Sequence, residues 1–146
     1  MSHWAAGKLS LKCSIKVLEK ALINIMPEWK DYIKVDPNAG LTIRDMSNKE
    51  SSGFNIAIPK NAPGMRWCDL GFKRSGDGTW SITIDKAGVP YKLGSNPDGK
   101  IKQEVGRMKS IAQAISNGFE YTQGMSGDSV EIDIIVPVGE QYKITA

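Results

Sequence analysis

His3, Cys13 and Cys68 are the residues best suited to nucleophilic or metal chemistry, and the chain has one histidine and two cysteines in all. A Cys–His nucleophile would need His3 beside one of two thiols far away in sequence. Neither cysteine stands in a C-x-x-C, and no H-E-x-x-H is present, so no zinc spacing is formed. Both cysteines fall in apolar, strand-like runs, where a thiol is expected to be reduced and inert rather than reactive. No Walker loop occurs, and no G-x-G-x-x-G follows a strand. Gly76-Asp77-Gly78 is a bare G-x-G that a hairpin turn explains.

Carboxylates and bases offer the next chemistry. Glu131 and Asp133 stand two apart, which puts both on one face of a strand, where paired carboxylates could hold a metal or share a proton. Ile132 and Ile134 alternate with them, so the acids are expected to mark a wet face. No catalytic, metal or cofactor set is expected. Lys8 and Lys12 line the polar side of the first strand, and Lys73 and Arg74 border the hairpin turn near Trp80, with Arg66-Trp67 upstream. A wet sheet face with bases and aromatics is one way to hold single-stranded nucleic acid. Here the aromatics fall mostly on the presumed buried side, and no RNA-recognition consensus appears. Nucleic acid is therefore a lesser alternative.

Composition is that of an ordinary globular chain, 40% hydrophobic and 24% charged over 146 residues. One α+β domain spanning 1–146 is expected. The net charge of +3 is too small to imply nucleic acid by itself. Glu120, Asp128, Glu131, Asp133 and Glu140 outweigh Lys143 at the carboxyl-terminal end, which leaves the rest basic and the surface dipolar. Met1-Ser2-His3-Trp4 lacks a basic leader with an apolar core, and no apolar run reaches membrane-spanning length. The expected location is cytoplasmic, with no membrane partner.

Periodicity supplies the elements. Leu9, Leu11, Cys13 and Ile15 alternate with polar residues and predict a strand. Val17, Leu18, Ala21, Leu22 and Ile25 form a helical stripe, with Ser14 as N-cap and Pro27 ending the helix near Met26. Short strands are predicted at 32–35 and 41–43, with a polar loop over 47–53. Phe54, Ile56 and Ile58 predict a half-buried strand. Cys68, Leu70 and Phe72 pair with Trp80, Ile82 and Ile84 in a hairpin through Ser75-Gly76-Asp77-Gly78. Asn96-Pro97 opens a second helix with the stripe Ile101, Val105, Met108, Ile111, Ala112 and Ile115, closed by Gly118. Strands at 119–123 and 130–136 follow, joined through 125–128, and a short one at 142–144. The expected fold is α+β: a mostly antiparallel sheet with two helices on one face, a ferredoxin-like (split βαβ) variant.

The start Met1-Ser2-His3-Trp4, the segment Val17-Leu18-Glu19-Lys20-Ala21-Leu22, the hairpin Cys68-Asp69-Leu70-Gly71-Phe72-Lys73-Arg74 and the late Gly118-Phe119 together resemble a family. It is the hypothetical chloroplast reading frame thirty-five family, an uncharacterised domain of cyanobacteria, algal plastids and some phages. Trp4 stands where that family has Phe. The resemblance implies a plastid stroma or a phage-infected cytoplasm as alternative locations. It brings no established activity, but it draws interest to Ser2, His3, Asp69, Gly71, Phe72 and Arg74.

The functional expectation is a binding or adaptor domain without a catalytic centre. It would engage a protein partner, or another copy of itself, through a sheet face or edge. One alternative is a small-ligand or nucleotide-binding protein whose site gathers His3, Asp69, Lys73 and Arg74, with His3 as general base near neutral pH. The other is single-stranded nucleic-acid binding.

Overall fold

Ser14 separates the first strand from the first helix, as its spacing predicts. Its hydroxyl accepts a hydrogen bond from the Val17 N–H at 3.2 Å, satisfying one of the helix's orphan donors. The computed structural model describes residues 5–85, 90–94, 96–117, 120–126, 129–135 and 141–145. They fall into two compact units, Met1–Ile101 and Lys102–Ala146.

In the first unit, β1 (Ala5–Lys12) leads into α1 (Ile15–Ile25). Leu18, Ala21 and Leu22 are fully buried along the helix's apolar stripe. The helix stops at Met26, because Pro27 has no N–H to continue it and instead starts a 3₁₀ turn over Pro27–Asp31. That turn buries Trp29, whose Nε1 donates to the Pro63 carbonyl at 2.9 Å. Next come β2 (Lys34–Val35), β3 (Leu41–Arg44), β4 (Glu50–Phe54), β5 (Ile56–Ile58), β6 (Leu70–Arg74) and β7 (Thr79–Ile84). Five of these strands form one antiparallel sheet in the order β1-β7-β6-β5-β2. The two strands flanking α1 therefore lie at opposite edges, and the chain returns across the sheet through β5, β6 and β7. Trp80, fully buried on β7, donates its Nε1 to the Cys13 carbonyl at 3.0 Å, which ties the strand to the helix entrance.

The polar segment 47–53 is the loop its composition predicts only over 47–49. Glu50–Phe54 pairs with β3, with Ile43 opposite Ser51 and Arg44 opposite Glu50. Asp45 makes the tight turn possible by accepting from the Ser47 and Lys49 N–H groups, both at 2.9 Å. One side of this hairpin is wet, carrying the Arg44–Glu50 ion pair at 2.6 Å and the Thr42–Ser52 hydroxyl pair. On the other side, Ile43 and Phe54 pack with Ala57, and Leu41 adds to them. The hairpin thus covers part of the sheet, over Ala57 and Gly71, which face each other in register. For this reason Phe54 to Ile58 are all buried, and the expected alternation is lost. Asn55, where the chain passes from hairpin to sheet, is buried but satisfied. Its Nδ2 donates to the carbonyls of Asp36 and Pro37, and its Oδ1 accepts from Arg74 N–H at 3.0 Å.

α2 (Pro97–Ser116) starts as predicted, with Asn96 Oδ1 accepting from the Gly99 N–H at 3.1 Å. The division between the units falls within this helix, after Ile101. Ile101 and Val105 are buried, but over the last two turns Ala114 is buried while Ile115 is 62% exposed. The buried line therefore drifts back by one residue from the predicted stripe. In the second unit, β8 (Glu120–Ser126), β9 (Ser129–Ile135) and β10 (Gln141–Thr145) form a meander in the order β10-β9-β8. Tyr121 and Tyr142 flank Ile134, and Thr122 and Lys143 flank Asp133. Glu131 and Asp133 thus share one face and Ile132 and Ile134 the other, as the alternation predicts. These three strands pair only with one another among the described residues. Gly118 and residues 127–128 of the predicted turn lie outside the described residues. Among those described, no helix is long and apolar enough to cross a membrane.

Candidate functional site

Of the four residues picked out by the sequence, His3 lies outside the described residues, and the other three do not converge. Asp69 and Lys73 fall on the same side of the strand, about 13 Å apart along it, and Arg74 falls on the opposite side. Asp69 and Lys73 are each committed to something local.

Asp69 is a clasp. Its Oδ2 accepts from the Arg44 N–H at 2.8 Å and its Oδ1 from the Lys60 N–H at 2.7 Å, while its own N–H donates to the Arg44 carbonyl. One carboxylate thus joins the end of β3 and the 59–64 connection to the start of β6. Lys73 places its ammonium 4.5 Å from the centre of the Phe54 ring, a cation–π contact on the hairpin. Arg74 is exposed beside a cavity of about 300 Å³ whose other walls are Ile15, Pro37, Asn55 and Ser75. The polar wall residue Asn55 already spends its amide on the main chain, as described above.

Neither cysteine is in a disulfide; Cys68 is buried and Cys13 half-buried. Cys68 Sγ donates to Asp85 Oδ2 at 3.6 Å. Burial foremost, with the Asp85 charge adding to it, pushes the Cys68 thiol above its ordinary value, which disfavours the nucleophilic thiolate. Among the described residues no group of three His, Cys, Asp or Glu side chains is placed to hold a metal ion.

What the topology assembles is a basic row. Ser81 on β7 lies opposite Lys8 of β1 on one side and Lys73 of β6 on the other. These three positions share one sheet face, the lysines about 10 Å apart at the usual strand spacing. Lys12, opposite Thr79, extends the row towards the β6–β7 turn. There Asp77 accepts from the Ser75 hydroxyl and from the Thr79 N–H. Those bonds foremost, and the Lys12 charge last, hold its carboxyl far below the ordinary range. The sequence shows Lys8, Lys12 and Lys73 as separate bases. Their common face depends on β1 pairing with β7, a contact no local pattern announces.

The two edges of the five-stranded sheet differ. β2 is two residues long, whereas β1 is eight and is paired on one side only among the described residues. Its register slips between Lys8 and Lys12, where four residues of β1 span two of β7. An irregular edge of this kind with lysines is how proteins limit random strand pairing, and it also marks where pairing is possible. Comparison of the chain with protein-family models, with curated proteins and with solved structures returns no match.

Proposed function

We propose that this chain is a non-catalytic binding domain that takes a protein partner, or a second copy of itself, along the β1 edge and the adjoining basic face. The supporting observation is the asymmetry of the sheet. One border is a two-residue strand, and the other is an eight-residue strand that, among the described residues, pairs on one side only. An added strand would gain main-chain hydrogen bonds there, and Lys8, Lys12 and Lys73 would favour acidic residues in it. The test is affinity capture and native mass measurement of the wild type against the double variant Lys8→Glu, Lys12→Glu. A partner or dimer that persists unchanged in the variant, or a strict monomer that captures nothing, would defeat the reading.

The lysine row also favours a second reading, single-stranded nucleic acid. It predicts retention on heparin and an affinity for oligothymidine that falls steeply with salt. The small-ligand reading built on His3, Asp69, Lys73 and Arg74 has less behind it, since Asp69 is occupied by main-chain donors. The ferredoxin-like packing with both helices on one face belongs to the proposal too. So do the kinship with the reading-frame family and a cytoplasmic or stromal location. None of them is needed for its test.

A further inference from the structure

A second place on the first unit has the shape and chemistry of a docking site, away from β1. Three segments build it: the end of α1 with the 3₁₀ turn after it, the connection between β5 and β6, and the 90–92 stretch. Together they line a cavity of about 500 Å³ through Met26, Glu28, Gly64, Met65, Arg66, Pro90 and Lys92. That volume lies within the range of ligand sites.

The floor is fixed before anything binds. Trp29 holds Pro63 by its indole N–H. Gly64 follows with φ at +81°, and a Cβ there would stand 3.1 Å from Pro90 Cβ and 3.3 Å from Met26 Cε. The main chain therefore presses against both walls at a point only glycine fills without strain. The two methionines add a polarisable, shape-tolerant lining.

The rim is charged and unevenly so. Arg66 and Lys92 face one acid, Glu28, whose contact with Lys92 is long, at 3.6 Å, and open to water on both sides. Such a pair contributes little and is easily exchanged for another carboxylate. Arg66 is steadied by Trp67, its guanidinium 5.7 Å from the ring centre, and that tryptophan is 39% exposed. An exposed arginine at the edge of a recess, with an exposed tryptophan against its guanidinium, brings together residue types that dominate binding energy in protein interfaces.

We propose that this groove docks an acidic protein segment. One large apolar side chain would insert between Met26, Met65 and Pro90, and neighbouring carboxylates would meet Arg66 and Lys92. A chain segment fits better than a small acid because Glu28, Gly64, Arg66 and Lys92 are all exposed. The recess is an open trough, whereas small-molecule sites enclose most of their ligand.

The experiment uses the full chain labelled with ¹³C-methyl methionine, the Met26 and Met65 signals being assigned with Met26→Leu and Met65→Leu. The probes are two sets of blocked decapeptides with a central Leu, Met, Phe or Trp, one flanked by Asp and Glu and the other by Lys. A third probe is free 3-phenylpropionate. The acidic set is expected to shift the Met65 and Met26 signals and to give saturable fluorescence polarisation that weakens with salt. Arg66→Glu and Lys92→Glu should each weaken it about tenfold. Lys8→Glu, Lys12→Glu should leave it intact, which separates this site from the β1 edge. Equal or better binding by the lysine-flanked set would overturn the proposal. So would shifts confined to other methionines, or no response at about 1 mM peptide, near −4 kcal/mol. Phenylpropionate moving Met65 where no peptide does would make the groove a small-acid pocket and overturn the segment assignment.

Discussion

Gly71→Ala adds one methyl group to β6, and the structure gives it nowhere to go. The new Cβ would lie 2.6 Å from Phe54 Cδ1, 2.7 Å from Cε1 and 3.0 Å from Ile43 Cδ1, where ordinary contact begins at 3.4 Å. Phe54 cannot simply swing aside, since it is 1% exposed and has the Lys73 ammonium over its ring. Either the ring leaves its rotamer, at about 0.5–1.5 kcal/mol, or the β3–β4 hairpin lifts and loosens the Ile43–Phe54–Ala57 cluster. Overpacking of this kind costs about 1–3 kcal/mol. The φ of Gly71 is not in the left-handed region, so alanine also restricts the unfolded chain and returns about 0.4–1 kcal/mol. The net expectation is a loss of about 1–2 kcal/mol in urea unfolding, or a melting temperature lower by several degrees. Phe54→Leu in the Gly71→Ala background should recover part of that loss, giving a coupling of about 1 kcal/mol in a double-mutant cycle. A Gly71→Ala protein as stable as the wild type, or two substitutions that simply add, would refute the hairpin's seat on the sheet.

Three further outcomes follow from the same geometry. Asp69→Ala should cost about 2–4 kcal/mol in urea unfolding, since it strands two main-chain donors at once, and Asp69→Asn, which keeps one oxygen, should cost less. In Ellman labelling at pH 8 Cys13 should react well before Cys68. Because the folded Cys68 thiol keeps a proton that the unfolded chain releases, stability should fall as pH rises above about 8.5, and a Cys68→Ala variant should lose that slope. Asp77 has the opposite sign: its folded carboxyl titrates below the unfolded value, so its contribution is complete above about pH 4 and fades as pH falls below it. Urea midpoints measured from pH 2 to 5 should therefore drop more steeply for the wild type than for Asp77→Asn.

Elements written in local chemistry were legible in the sequence. Ser14 and Pro27 mark both ends of α1, Asn96-Pro97 opens α2, and Ser75-Gly76-Asp77-Gly78 turns the β6–β7 hairpin, because caps and turns use nearby residues. β4 was not legible, since Glu50-Ser51-Ser52-Gly53 has no apolar period and becomes a strand only by pairing with β3 across the Asp45 turn. The run Phe54–Ile58 conceals its alternation because both of its faces are covered. Asp69 drew attention as a candidate ligand, yet its partners are main-chain N–H groups, which carry no residue signature. The sheet order and the groove were hidden for a common reason. Both join segments far apart along the chain, β1 with β7 and Met26 with Met65 and Pro90, and periodicity does not reach that far.

The pairing of β1 with β7 has a consequence for how the molecule is made. Lys8 meets Ser81 across more than seventy residues, a loop whose closure costs about 4 kcal/mol of chain entropy, against very little for the β6–β7 turn. At about 5–20 residues per second, a ribosome needs roughly 4–15 s to supply β7 after β1 has emerged. Throughout that interval Leu9 and Leu11, buried in the finished protein, have no ladder to join. The nascent amino-terminal region is therefore the stretch most dependent on a holding chaperone, and the β6–β7 hairpin is the template on which it finally settles.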